Sequence, residues 1–147
     1  MEHKFKQQVN IAAPNLMNIC IDQVCDGEFQ GRFYHCYANE AESFSNVVEL
    51  IRKAENLFDC ISYPQASTRS RSFVSQEDVI IRQCPDKCRK QEDLFKFKGA
   101  LGTFITFVKF RQNSTWQGEF FWVEGELKNY FSNILDFIKM MAQRVSQ

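Results

Sequence analysis

The sequence repeats itself at a spacing of 87 residues. Gln30-Gly31-Arg32-Phe33 and Phe44-Ser45-Asn46 return as Gln117-Gly118-Glu119-Phe120 and Phe131-Ser132-Asn133, and residues 17–60 align with 104–147 without a gap. Identities are few, but they fall in two clusters that keep their internal spacing. Similar residues fill in around them, with Val47-Val48-Glu49 opposite Ile134-Leu135-Asp136. A chain built this way is expected to fold as one small unit used twice.

Each copy reads as two strands and a helix. In the first, Met17, Ile19 and Ile21 alternate with Asn18, Cys20 and Asp22, the period of a strand with one buried face. Asp26-Gly27 is a turn dipeptide, and alternation resumes over 32–37, which predicts a hairpin with a loop longer than two residues. Val47, Val48, Ile51, Ala54 and Phe58 then recur at helical spacing, with Ser45 as the expected N-cap and Tyr63-Pro64 beyond the end. Ser132 and the stripe Ile134, Phe137, Ile138, Met141 and Val145 repeat the pattern.

The expected fold is therefore α+β. Tandem ββα repeats form a mainly antiparallel sheet with two helices on one face, and an inserted segment adds one or two strands. The chain of 147 residues reads as a single domain: an arm over 1–15, a first repeat over 16–62, an insertion over 63–101 and a second repeat over 102–147. Within the insertion, Val79-Ile80-Ile81 and the alternating Leu94-Phe95-Lys96-Phe97-Lys98 are the strand candidates. Asp22 corresponds to Lys109 and Arg32 to Glu119, so equivalent positions carry opposite charges; facing one another across a pseudo-twofold centre is one reading, unrelated surface substitution the other.

Charge is balanced at 18 basic against 18 acidic residues, so no global field draws the chain to nucleic acid or membrane. No apolar run approaches the ~18 residues of a membrane helix. Met1-Glu2-His3-Lys4-Phe5-Lys6 lacks an apolar leader core, so a reducing cytoplasm is expected for the six cysteines. Cys84-x-x-x-Cys88 with His35-Cys36 supplies only part of a zinc pattern, and Trp122 stands where the first copy has His35, favouring packing over base chemistry. No phosphate loop, hydrolase or metalloprotease motif is present, and neither an enzyme nor a cofactor is expected.

The run Phe110-Arg111-Gln112-Asn113-Ser114-Thr115-Trp116-Gln117-Gly118, with Trp122-Val123-Glu124-Gly125 and the helix start at Phe131-Ser132-Asn133, resembles a group of small uncharacterised bacterial proteins. That group carries an FRQN-x-x-WQG motif before a Leu-rich helix. Gly31-Arg32-Phe33-Tyr34 and Tyr63-Pro64-Gln65-Ala66 are similar to its companion pattern. The resemblance implies no activity, cofactor or catalytic residue.

Function is instead expected from surfaces. Two helices cover one sheet face, so the aromatic residues of the other need a lid from residues 73–97, from a second subunit or from a partner. Tyr34, Phe95, Phe97, Phe121 and Val123 are the partner-binding candidates on that face. Residues 61–100 hold eight basic and five acidic side chains; Arg69, Arg71, Lys87, Arg89 and Lys90 beside Phe73, Phe95 and Phe97 are the candidates for contact with unpaired bases. The expectation is a non-enzymatic protein that occludes another protein's surface as adaptor or inhibitor. Self-association, single-stranded nucleic acid and a thiol or zinc enzyme are the alternatives.

Overall fold

The computed structural model describes residues 13–64, 87–111 and 115–145. Their elements are β1 (Met17–Cys25), β2 (Glu28–Tyr34), β3 (Glu42–Phe44), α1 (Val47–Ile61), a 3₁₀ helix (Gln91–Lys96), β4 (Gly102–Phe110), β5 (Gln117–Trp122), β6 (Leu127–Phe131) and α2 (Ile134–Val145). The strands form one six-stranded sheet in the order β3-β2-β1-β4-β5-β6, antiparallel at every pairing. The class is α+β. Each helix follows three strands rather than two, because the polar residues before Phe44 and Phe131 pair along the outer edges.

Local chemistry explains the recurring triplets. Gly31 pairs with Phe44 and Gly118 with Phe131, so each glycine faces a phenylalanine on the neighbouring strand. A Cβ at either glycine would run into a main-chain carbonyl oxygen, that of Cys20 for Gly31 and that of Phe107 for Gly118. Beside each glycine the register slips by one residue, between Ile21 and Gln23 and between Val108 and Phe110, which leaves Asp22 and Lys109 as bulge residues.

The other triplet ends a strand and caps a helix. Asn46, not Ser45, is the cap of α1: its Oδ1 accepts from Glu49 N at 2.8 Å, while Ser45 N donates to Glu49 Oε1 at 3.0 Å. Asn133, Asp136 and Ser132 repeat both bonds at 2.8 and 3.3 Å. The amide oxygen reaches the third residue of the helix, and serine one position earlier supplies only its backbone N–H.

Three further expectations change. The β1–β2 turn is a tight two-residue one, with Asp26 and Gly27 both at positive φ between the paired Cys25 and Glu28, so its backbone twist follows that of the strands. The buried stripe of α1 is Leu50, Ala54, Leu57, Phe58 and Ile61, with Val47 and Ile51 partly buried against the same core, while Val48 is 74% exposed because the helical turn per residue puts it on the side away from Leu50, Ala54 and Leu57. Leu94–Lys96 lie in the 3₁₀ helix and not in a strand: Asn18 Nδ2 takes the carbonyls of Leu94 (2.6 Å) and Phe97 (2.9 Å) that a ladder would have used. The expected strand at Val79–Ile81 lies outside the described residues.

Both helices pack on one sheet face. Phe33, Phe58, Phe104, Trp116, Phe120, Phe131 and Phe137 form its centre, with Trp116 between Phe58 on α1 and Phe137 on α2 (ring centroids 5.5 and 5.7 Å). On the opposite face a second apolar layer holds Ala13, Leu16, Cys36, Leu94, Phe95, Ile105, Phe107, Phe121 and Val123. Residues 13–16 and the 3₁₀ helix supply its lid.

Candidate binding surface

The aromatic face is closed from within. Phe95, Phe121 and Val123 are buried beneath the chain's own segments, so none presents the open surface expected of a partner contact. Burial of such rings removes a large apolar area from water, and residues 87–101 lie close enough to do it without a second molecule. Tyr34 and Phe97 are half-buried at the rim. Their rings stack in parallel, 3.7 Å between centroids and 6° between planes.

Cations gather at that rim. The Arg89 guanidinium lies 5.7 Å from the Tyr34 centroid and 5.2 Å from that of Phe97, Arg32 lies 5.6 Å from Tyr34, and Lys96 Nζ lies 5.4 Å from Phe97. Arg32 and Lys96 gain from the negative ring face, whereas Arg89, nearly equidistant from the two stacked centroids, lies beside their edges. Arg32 Nε donates to Tyr34 Oη at 2.8 Å, and its Nη2 to Lys98 O at 2.9 Å, so one side chain ties β2 to the crossing segment. Arg89 Nη2 donates to Ala38 O at 3.0 Å and also to Asn39 O. Of the expected basic contacts, Lys87 and Lys90 are exposed, Arg89 is half-buried in this structural role, and Arg69 and Arg71 lie outside the described residues.

The opposite charges at equivalent positions do not meet across the centre. Asp22 pairs with Arg32 on the β1–β2 side, and Lys109 with Glu119 (3.3 Å) on the β4–β5 side, so each bulge residue pairs with its own neighbouring strand. Glu119 is buried and also holds Lys128 at 3.3 Å. Tyr130, 62% exposed on the outer strand, lies 5.9 Å from Lys109 Nζ and 5.4 Å from Lys128 Nζ.

His35 is committed elsewhere than to a thiol. Its Nε2 sits 2.7 Å from Glu42 Oε2, and Nδ1 accepts from Tyr37 N at 3.1 Å, which fixes the proton on Nε2. Burial lowers its pKa, and Glu42 opposes only part of that fall. Burial pushes the Cys36 thiol up, and pushes Cys20 up to about 12, so both stay protonated at neutral pH. Among the described residues, no group of three or more His, Cys, Asp or Glu side chains is arranged to hold a metal ion. Cys84 lies outside them.

Sequence reasoning missed a network around Arg111, which is 4% exposed. Arg111 Nε donates to Pro64 O at 2.6 Å, and Nη1 reaches Glu55 Oε1 (2.8 Å) and Asp59 Oδ1 (3.0 Å) on α1. Trp116 Nε1 donates to the other Glu55 oxygen at 2.6 Å. The Arg and Trp of the Phe110–Gly118 run thus clamp the last turns of α1. The available signal was Glu55 and Asp59, four apart on one helix side.

No helix among the described residues is long and apolar enough to cross a membrane. Comparisons with protein-family models, curated proteins and solved structures find no match.

Proposed function

We propose that the protein is a non-enzymatic binding protein, an adaptor or inhibitor that occludes part of another protein, and that its contact surface is the basic rim rather than the aromatic sheet face. One observation carries this reading: Lys87, Lys90, Lys96 and Lys98 are exposed on the segment that brings Phe97 onto Tyr34, outnumbering the exposed Glu92 and Asp93 between them, while the aromatic layer beneath already has its lid. A partner surface rich in carboxylates matches that chemistry, since complementary potential guides encounter and orientation. The proposed setting is a reducing compartment such as the cytoplasm.

The test is affinity capture from native lysate with the full chain and with a Lys87→Glu/Lys90→Glu variant. Wild type should recover the same acidic protein reproducibly, and the variant and ~0.5 M salt should each lower recovery about tenfold or more. Equal recovery by the two chains would exclude the rim. Single-stranded nucleic acid is the second reading, favoured by exposed lysines on the same segment as the half-buried ring pair. Micromolar binding of a labelled 20-nucleotide oligothymidylate, falling steeply with salt, would move the assignment there.

We also infer that the two βββα runs descend from one duplicated unit. The matching glycine–phenylalanine pairs, bulges and asparagine caps, each displaced by 87 residues, support that history.

A further inference from the structure

Cys36 follows the end of β2, and Cys88 opens the segment that crosses back over the sheet, far away in sequence. The two backbones meet directly. Cys88 N donates to Cys36 O at 2.6 Å, and Arg89 N donates to the same oxygen at 3.3 Å. Standard backbone geometry around a hydrogen bond of that length keeps the two Cα atoms within about 6.5 Å. That lies inside the roughly 4.4–6.8 Å that disulfides span. Both cysteines are free thiols here, Cys36 buried in the second apolar layer and Cys88 exposed.

We propose that Cys36 and Cys88 are a redox-sensitive pair whose disulfide fastens the 87–98 segment onto the sheet. The oxidant class is a low-molecular-weight disulfide of the glutathione type. Exposed Cys88, as thiolate, attacks one sulfur of that disulfide; the S–S bond breaks, a mixed disulfide forms, and one small thiolate leaves. Cys36 then gives up its proton and attacks Cys88 Sγ, expelling the second small thiolate. The two protein protons end on the two small thiols, so the protein is oxidised by two electrons and the small disulfide reduced by two. Cys36 is protected from the oxidant by burial, which keeps its thiol protonated; Lys87 and Arg89 offset part of that rise and Asp93 adds to it, so its proton leaves only as it attacks the adjacent mixed disulfide. The product restrains the unfolded chain across the 36–88 loop and secures the residues that carry Arg89 and Phe97.

Full-length protein equilibrated in glutathione buffers of increasing oxidised fraction, alkylated and digested, tests this by mass spectrometry and thermal melting. The expected result is one intrachain link between the Cys36 and Cys88 peptides, with Tm raised by about 5 °C or more and restored by reductant. Cys88→Ser and Cys36→Ser should each abolish the link and the shift. Cys88→Ser, an exposed change, keeps the test valid if Cys36→Ser fails to fold. A Cys84–Cys88 link, an interchain link, or complete alkylation of all six thiols across the series would overturn the proposal. None of these outcomes depends on the binding reading.

Discussion

Arg111 shows how one side chain can hold two distant pieces of backbone. Its guanidinium is inside the protein, but Glu55 and Asp59 keep part of their carboxylates in water, at 35% and 60% exposure. The cost of desolvating the acids is therefore partial, and the cation gains three charge-assisted or carbonyl bonds. Arg111→Ala should destabilise by roughly 3 kcal/mol in urea unfolding, mostly through the orphaned Pro64 carbonyl and the lost cover over Phe58, whose ring centroid lies 5.5 Å from the guanidinium. Trp116→Phe loses the bond to Glu55 and leaves a cavity where the second fused ring was packed, so about 2–3 kcal/mol is expected. His35 supplies the pH dependence. Its folded pKa lies below the unfolded value, so its contribution is complete above about pH 6.5 and is lost as pH falls through the folded value. Melting temperature should drop from pH 7 to pH 5 in the wild type and drop less in His35→Gln; parallel curves would reject this assignment.

At the scale of elements, the bulges matter most. Asp22–Arg32 and Lys109–Glu119 are the same pair with the signs exchanged, which means that the local backbone accepts either polarity. Asp22→Lys alone or Arg32→Glu alone should cost about 1 kcal/mol by chemical denaturation, and the double exchange should recover most of it. Tyr34 and Lys98 also lean on Arg32, so recovery is expected to be incomplete. The recurrence at 87 residues made the strands, the helices and their common face readable, because alternation and helical spacing are local. β3 and β6 were not readable: Glu42-Ser43 and Asn129-Tyr130 carry no apolar alternation, and they pair because a bound edge offers backbone partners. The 3₁₀ helix was hidden for the same kind of reason, since it depends on an asparagine 76 residues away.

Across the whole molecule, the second apolar layer decides what is left for function. The sequence offered three lids for Phe95, Phe121 and Val123, namely the chain's own residues 73–97, a second subunit or a partner, and alternation alone does not choose among them. Tyr34 and Phe97 remained at the rim because Arg32 and Arg89 hold them there. If the rim is the contact surface, Lys87→Glu/Lys90→Glu should leave the melting temperature within about 2 °C of wild type while lowering partner recovery, because surface charges away from such networks carry little stability. A fall in both together would instead mean that the segment's docking had been damaged.

Within the sheet, the two described halves join where β1 lies beside β4, from Met17 opposite Thr106 to Ile21 opposite Gly102. Every other strand pair links neighbours along the chain and can zip within microseconds, whereas this seam must close a loop of about eighty residues. Assembly therefore has a natural order: two separate hairpin clusters gather first, and the rate-limiting ascent is their meeting. Substitutions along the seam should then act mainly on how fast the finished protein comes apart, and those in the outer hairpins on how fast it forms.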